Sequence, residues 1–482
     1  MIKQIIAFSI LSISAFNLCA QELIFNLEDV VNRAMTQSLR SEQVQNDILI
    51  AQWRYKSYKS GFLPQVALNA SLPNINRSLE QITLPDGSDA FVGRSQASYT
   101  ADLEIRQNIG LTGGSIFVRS NLQRIDLFGD NSSRSYLSSP LNVSLSQPLL
   151  GFNAMRWQRK LEPVRYEFNK LLAVEARENI RLESARLYYE VLINQINEEV
   201  ANKSKSAQDT IYRISQGRFE MGKIAENDLL KIELIVLNAE IEWERSKMDL
   251  DLSMRELKDY LRLSRDAEVT LLLEEDFPLI EVNQEAAIQL AQQNQSSVVQ
   301  RDLQRLESEQ LIAQAKAGRR PVIDVFASYG LTQSSSEFET VYDNPQDRQL
   351  FTVQFNVPIY DFGRAKADAQ AAILSARNIQ LSIELDQLEF DRLLISKVRM
   401  FKFLQDQLIL AKQRDVVAAK GFEITRQRFL IGKITITDYQ LALQEKTSSK
   451  QQYLNALRNF WTGYYDIRSL THYDWIENKA IE

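Results

Sequence analysis

Very few residues of this chain have side chains suited to acid–base, nucleophilic or metal chemistry. His472 is the only histidine and Cys19 is the only cysteine. A catalytic triad is recognised by a base grouped with a nucleophile, and no nucleophile pattern surrounds His472. A single cysteine excludes both a disulfide framework and a thiolate metal site. We therefore predict no enzyme activity, no cofactor and no metal site, and we interpret His472 as an ordinary residue near the C-terminus.

A motif that contains a glycine–lysine pair occurs twice in the chain. It reads RFEMGKIAEND in residues 218–228 and RFLIGKITITD in residues 428–438, and neither copy has the spacing of a phosphate-binding loop. Glycine adopts backbone angles that other residues avoid, so each copy predicts a break between two helices. The shared arginine, phenylalanine, glycine, lysine and aspartate exceed what a plain turn requires, which predicts a docking or entrance role for these two tips. The predicted tip residues are Arg218, Phe219, Gly222, Lys223, Asp228, Arg428, Phe429, Gly432, Lys433 and Asp438.

Charged residues also occupy the polar side of two predicted strands, about residues 98–109 and 115–127. Such charges could tune the passage of ions or cargo through a pore. The alternative is that they contact water or pair across the strands, and the sequence leaves both interpretations open. The residues are Asp102, Glu104, Arg106 and Arg119.

The composition allows a large and regularly folded protein. The chain has 482 residues, of which 44% are hydrophobic and 24% are charged. Its formal net charge of -6 does not suggest a nucleic-acid partner. Only 16 glycines and 10 prolines are present, so most of the chain is free to form helices and strands.

The N-terminus has the features of a secretory signal peptide. Lys3 supplies a positive charge, residues 5–18 are apolar, and we expect cleavage near Ala20. Leu18 is too large for the position before a lipid-modified cysteine, which argues against lipidation of Cys19. No later stretch has the 18 or more apolar residues of a membrane helix. These features predict a periplasmic, secreted or outer membrane β-barrel protein.

Two constant offsets indicate that the chain is a duplicated unit. Pro64 and Pro321 are 257 residues apart, whereas Pro148 and Pro358 are 210 residues apart. The difference places 47 extra residues in the first copy. Repeats of this kind define the architecture before other features are considered. We predict a signal peptide at 1–20, a first repeat at 21–263, a linker at 264–279 and a second repeat at 280–482.

Each repeat is predicted to contain a helix, a β region, a very long helix, a glycine break and a final helix. The first helices should span Leu27–Gly61 and Gln284–Gly318, with Asn26 and Asn283 as their N-caps. Apolar residues then recur every three or four positions, which is typical of coiled-coil helices. From about residue 156 to residue 216 such a helix would be ~90 Å long at 1.5 Å per residue. The tips should lie near 217–224 and 427–434.

The β regions alternate apolar and polar residues. In residues 351–357, for example, the odd positions are apolar and the even positions are polar. This pattern is typical of membrane β-barrel strands, although a half-buried soluble sheet alternates in the same way. The signal peptide and the polar loops at 74–93, 129–139 and 334–347 favour the barrel. The strands should lie at about 65–147, including an extra hairpin, and at about 322–357. One chain has too few strands to close a useful barrel, so several copies must contribute.

The order and duplication of these motifs resemble the TolC-type outer membrane efflux family across nearly the whole mature chain. The tip motifs contribute to the resemblance together with five other segments. These are LEDVVNRA (27–34), GFLPQV (61–66), SQPLLGFN (146–153), NVPIYDFGRAKA (356–367) and YYDIRSLTHYDW (464–475).

The resemblance implies an α+β membrane protein, in which a trimeric β-barrel continues as a long periplasmic α-helical barrel. It implies a passive exit duct of a tripartite efflux or secretion system, with a periplasmic adaptor and, through it, an inner-membrane pump as partners. A structural coiled-coil spacer anchored in the outer membrane is the alternative function. The family pattern has four strands per chain and twelve per trimer, so the extra hairpin leaves open whether this barrel has eighteen.

Overall fold

The computed structural model describes residues 23–129, 132–274 and 276–481, so the predicted signal peptide lies outside the described residues. The helices are α1 Leu27–Gln37, α2 Leu39–Ser60, α3 Ala154–Glu220, α4 Glu226–Tyr260, α5 Gln284–Asn294, α6 Ser296–Ala317, α7 Arg364–Leu430 and α8 Ile436–Thr471. The strands are β1 Leu23–Phe25, β2 Gln65–Thr83, β3 Asp89–Ile109, β4 Gly114–Phe128, β5 Ser133–Leu150, β6 Val269–Leu271, β7 Val322–Ser335, β8 Gln346–Asn356, β9 Tyr473–Asp474 and β10 Lys479–Ala480. Across these described residues, every helix is too short or too polar to cross a membrane.

The first helix of each repeat is interrupted, which the sequence analysis did not predict. Ser38 separates α1 from α2 and Gln295 separates α5 from α6, each with an extended backbone. The buried hydroxyl of Ser38 accepts a hydrogen bond from the amide of Ser41 at 3.1 Å and so caps the start of α2. The predicted caps Asn26 and Asn283 are confirmed, because the side chain of each accepts amide hydrogen bonds from the first turn.

Six strands form one antiparallel sheet in the order β2-β3-β4-β5-β7-β8. Four strands come from the first repeat and two from the second. The predicted polar loop between Asn74 and Gly93 is largely strand, because β2 runs to Thr83 and β3 begins at Asp89. Within the described residues, β2 and β8 are the edges of the sheet.

The chain divides into two compact units that cut across the sequence repeats. The sheet unit contains Asp47–Leu171 and Ser296–Phe390, and the helical unit contains the other described residues. Each unit therefore combines segments from both repeats. The two 67-residue helices, α3 and α7, contribute to both units because of their length.

Side-chain contacts in the helical unit place its long helices in the order α4-α3-α8-α7. One hydrogen bond from each contact is Trp243–Glu198 for α4 and α3 (2.9 Å), Gln208–Tyr439 for α3 and α8 (3.5 Å), and Arg414–Gln452 for α7 and α8 (2.8 Å). The interior of this unit is rich in aromatic residues along α8, including Tyr453, Phe460 and Tyr464. In this order, α4 and α7 are the outer helices.

Candidate functional site

Both tips have the same hydrogen-bonded turn, and the turn explains the glycine in each. Gly222 has φ +69° and Gly432 has φ +75°, which confirms the predicted helix breaks. The amide of Lys223 donates to the carbonyl oxygen of Arg218 at 2.8 Å, and Lys433 repeats this bond at the second tip at 2.9 Å. This is the Schellman arrangement, in which a glycine in the left-handed region ends a helix.

The two tips of one chain pack against each other, and this packing gives equivalent residues of the two tips different environments. The Arg218 side chain donates to the carbonyl oxygen of Leu430 at 2.9 Å and lies 6.0 Å from the Phe429 ring. Phe429 is only 7% exposed, in an apolar cluster with Tyr439, whereas its equivalent Phe219 is 38% exposed. Phe429 therefore has an intrachain packing role, whereas Phe219 remains partly on the surface.

The tip aspartates also differ in their environments. The Asp438 carboxylate accepts hydrogen bonds from the Thr435 hydroxyl at 2.7 Å and the Thr435 amide at 3.1 Å, which forms a capping box. These bonds hold the pKa of Asp438 below its usual value. At the first tip, the residue equivalent to Thr435 is Ala225, which makes no side-chain cap. Asp228, the equivalent of Asp438, lies 3.8 Å from Lys231. Capping is therefore enough to explain Asp438, but it does not explain Asp228.

Several tip side chains remain on the surface after these structural roles are assigned. Lys223, Lys433 and Arg428 are exposed. Met221 is 62% exposed and Ile431 is 66% exposed, one residue before each tip glycine. The sequence analysis missed this apolar pair. The sequence does contain a sign of it, because both copies of the motif have an apolar residue in the turn, where no helix core requires one.

One face of the six-stranded sheet is apolar and exposed. The register places Val66, Ile105, Val118, Val143 and Tyr329 side by side across five strands. Exposed apolar residues of this face include Leu68, Leu103, Leu145, Phe351, Val353 and Phe355. Both Leu68 and Phe351 are 71% exposed. An apolar surface of this extent is an interaction surface for lipid or protein.

The opposite face carries the four charged residues that the sequence analysis selected. The Arg119 Nε donates to Glu104 at 2.6 Å across the β3–β4 pair and lies 3.9 Å from the Asp102 carboxylate. Arg106 lies 5.3 Å from the ring of Phe117, its partner across the same pair. The structure thus brings the four residues together and pairs three of them across strands. Whether they also line a pore depends on the closure of the sheet.

The turn between β3 and β4 lies at the end of the sheet where the helices join the strands. Asn153, one residue before α3, donates from its side-chain amide to the Leu111 carbonyl oxygen at 3.1 Å. Asn108 donates in the same way to the carbonyl oxygen of Gly61, which follows α2, also at 3.1 Å. Gly113 has φ +80° in this turn, which favours glycine. The opposite ends of these strands therefore point away from the helices.

The outer helices α4 and α7 each have an exposed apolar seam. On α4 it contains Leu230, Leu234, Leu237, Ile241, Met248 and Leu252. On α7 it contains Phe403, Leu410, Val417 and Ile424. The α7 residues recur every seven positions and those of α4 follow steps of three, four and seven, so both seams have coiled-coil spacing.

The chain is similar to known proteins in both sequence and structure. A search of curated proteins gives no match. Residues 287–471 match the family described as outer membrane efflux protein. This segment of the chain belongs to the outer membrane efflux protein family. The resemblance stated from the sequence motifs is therefore confirmed.

Solved structures of outer membrane channels have the same fold as this chain. The CmeC channel of Campylobacter jejuni has 15% identity and a TM-score of 0.66, covering 92% of this chain and 85% of that chain. VceC of Vibrio cholerae has 12% identity and a TM-score of 0.65, with coverages of 92% and 95%. The open state of the Neisseria gonorrhoeae MtrE channel has 13% identity and a TM-score of 0.62, with coverages of 93% and 89%. At these identities the similarity shows the α+β fold alone.

The C-terminal end of the described chain contains a buried charged network with a structural role. Arg468 donates to Glu178 at 2.8 Å and also pairs with Asp474, whose other oxygen accepts from the Tyr464 hydroxyl at 2.6 Å. His472 is buried beside this network at the end of α8, with φ 47°. Among the described residues, no group of three or more histidine, cysteine or carboxylate side chains is placed to hold a metal ion.

Proposed function

We propose that three copies of this chain form an outer membrane channel. It would act as the exit duct of a tripartite efflux or secretion system. Cargo would be delivered by an inner-membrane pump through a periplasmic adaptor, and the duct itself would be a passive conduit without catalytic activity. One observation carries the proposal, namely a sheet with an exposed apolar face, a polar face and two open edges.

Closure by several copies follows from the chemistry of the sheet edges. Backbone groups that face lipid must form hydrogen bonds within the protein, so an open sheet cannot remain in a membrane. The smallest single-chain barrels have about 8 strands, and the described part of this chain supplies six to one sheet. Since β2 and β8 run in opposite directions, β8 of one copy can pair with β2 of the next in the antiparallel way. The apolar face then contacts lipid and the polar face surrounds water.

The seams on α4 and α7 support the same arrangement in the helical unit. These helices are at the two ends of the order α4-α3-α8-α7, and both seams are exposed in the single chain. Burying an apolar seam against another helix is the main stabilisation available to a long amphipathic helix. We therefore infer that α4 of one copy packs against α7 of the next. Repetition of this contact would close a tube of helices.

The tips are proposed as the surface that docks the periplasmic adaptor. Met221 and Ile431 expose apolar side chains beside the basic residues Lys223 and Lys433. Apolar residues with a charged surround are typical of protein-binding surfaces. Three chains with two tips each would present six such groups. This arrangement would suit a partner that ends in several equivalent hairpins.

Fractionation and mass measurement test this proposal against a coiled-coil spacer. We expect the protein in the outer membrane fraction, and after detergent extraction we expect a mass of three chains by light scattering. A stable monomer in the soluble periplasmic fraction would contradict the proposal. A membrane-anchored protein whose strands never contact lipid would support the spacer instead. A spacer needs no barrel, and therefore no polar sheet face that encloses water.

A further inference from the structure

The inserted hairpin β3–β4 lies inside the sheet, between β2 and β5. It pairs with β2 through a long antiparallel register and with β5 through another. Because it contributes two strands, β2 and β5 keep the opposite directions that they would have without it. The hairpin thus widens the sheet without changing its topology.

We propose that all six strands of each chain enter the barrel wall, so that the assembled barrel has eighteen strands. We also infer that this hairpin supplies the charged cluster of the lumen, Asp102, Glu104 and Arg119. The proposal rests on the proposed function, which provides the three copies. Beyond the proposed function, the eighteen-stranded barrel specifies how many strands form the wall, which strands meet between copies, and where the charged cluster lies.

The slant of the sheet agrees with a barrel in which six strands per chain take part. The residues that lie in register with Gln65 of β2 are, in strand order, Arg106, Phe117, Ser144, Ser328 and Leu350. Leu350 lies six residues before Asn356, the last residue of β8. The start of β2 and the end of β8 both connect to helices, so they belong to the same rim of a barrel. Six residues of ~3.3 Å across six strands spaced ~4.8 Å give a tilt of about 35°.

A tilt of about 35° is within the range of closed membrane barrels, which is roughly 35–45°. The same slant determines which residues meet between copies. If Gln65 of one copy lies opposite Asn356 of the next, Val66 lies opposite Phe355 and Leu68 opposite Val353. All four of these side chains belong to the apolar face. The junction therefore continues the apolar face without interruption, whereas a slip of one residue would reverse it.

The width of the strand layer is a second consequence of the strand number. Eighteen tilted strands have a circumference of about 105 Å, and twelve have about 70 Å. The backbone diameter of the eighteen-stranded barrel is about 34 Å, in the range where barrels enclose an aqueous channel.

Spin labels on single cysteines can locate the hairpin in the assembled protein. Leu103→Cys on β3 and Val118→Cys on β4 place labels on the apolar face, and Glu104→Cys places one on the charged face. Phe351→Cys on β8 is the matched control, because β8 faces lipid in a barrel of either size. If the variant at 103 or 118 fails to assemble into three chains, Ile105→Cys replaces it on the apolar face.

We expect labels at positions 103 and 118 to contact lipid-soluble oxygen to within about twofold of the label at 351, because outward residues alternate along each barrel strand. The label at 104 should instead contact a water-soluble nickel complex. Lipid contact at 351 but not at 103 and 118 would overturn the eighteen-stranded barrel and leave the proposed channel intact. Absence of lipid contact at 351 as well would contradict the proposed function itself.

Discussion

Arg218 at the end of α3 donates a hydrogen bond to the carbonyl oxygen of Leu430 at the end of α7, and the two atoms are 2.9 Å apart. This bond joins the two tips of one chain. Removing it with Arg218→Ala should weaken the tip contact by about 1 kcal/mol, because the bond is exposed. Amide hydrogen exchange in residues 428–434 should then be roughly fivefold faster.

Arg428→Ala is the matched control for this prediction. Arg428 is the equivalent residue of the second tip, is exposed, and makes no such bond to the described part of the first tip. Its substitution should leave the exchange of residues 428–434 unchanged. Equal acceleration in both variants would show that the bond between Arg218 and Leu430 does not hold the tips together.

The tip glycines allow bulk and backbone strain to be tested separately. A Cβ added at Gly222 or Gly432 meets no atom within 4 Å in its own chain, so a large side chain there projects from the surface. We predict that Gly222→Trp with Gly432→Trp abolishes export while three-chain assemblies still form in the outer membrane. The measurement is crosslinking to the adaptor together with an export assay.

The control for the tryptophan variant is Gly222→Asn with Gly432→Asn. Asparagine tolerates a positive φ and adds little bulk, so export should persist. Normal export from the tryptophan variant would show that the tips are only turns. Loss of export in both variants would assign the effect to the turn geometry instead of to a docked partner.

The junction between copies predicts a specific disulfide. Val66→Cys on β2 combined with Phe355→Cys on β8 should link chains covalently, because opposed residues of an antiparallel pair have Cβ atoms about 5 Å apart. Val66→Cys with Gln354→Cys should not, because residue 354 faces the other side of the sheet. Electrophoresis under non-reducing conditions distinguishes these results. Efficient crosslinking of the second pair would mean that the register is shifted by one residue.

His472 predicts a pH dependence of stability. Burial lowers the pKa of its imidazole below 6.5, while Glu175, 3.7 Å away, and Glu178 act in the opposite direction. The folded chain therefore takes up this proton at a lower pH than the unfolded chain. Stability should be fully present above the unfolded pKa and fall as the pH drops below about 6.5.

The variant His472→Asn should lose this pH dependence, because asparagine does not titrate and tolerates the φ of 47° at this position. Thermal unfolding measured between pH 7.5 and pH 5, a window chosen around the reference pKa of His, would compare the two proteins. The midpoint of the wild type should fall more steeply. Parallel profiles would show that other groups dominate the acid response.

The sequence predicted the fold more successfully than the environments of individual side chains. The glycines at the tips were predictable because a positive φ selects glycine, and the asparagine caps were predictable because the free amides of a helix start need a side-chain acceptor. The break at Ser38 was hidden, since the serine lies inside a long helical pattern and becomes a cap only through its bond to Ser41.

Two other differences from the sequence analysis have tertiary causes. Strands β2 and β3 extend into a polar segment because hydrogen bonding between them does not require an apolar face. Phe219 and Phe429 are equivalent in the repeat, but only Phe429 is covered, since the two tips pack against each other asymmetrically. A repeat in sequence cannot reveal that difference.

Ion current through the reconstituted protein tests the channel proposal most directly. Purified three-chain assemblies of the wild type and of Arg218→Ala would be inserted into planar lipid bilayers. We expect discrete current steps from both proteins, with larger steps from Arg218→Ala because its tips are less firmly held. Absence of steps from both, in bilayers shown to contain assembled protein, would contradict the proposal that this chain forms a channel.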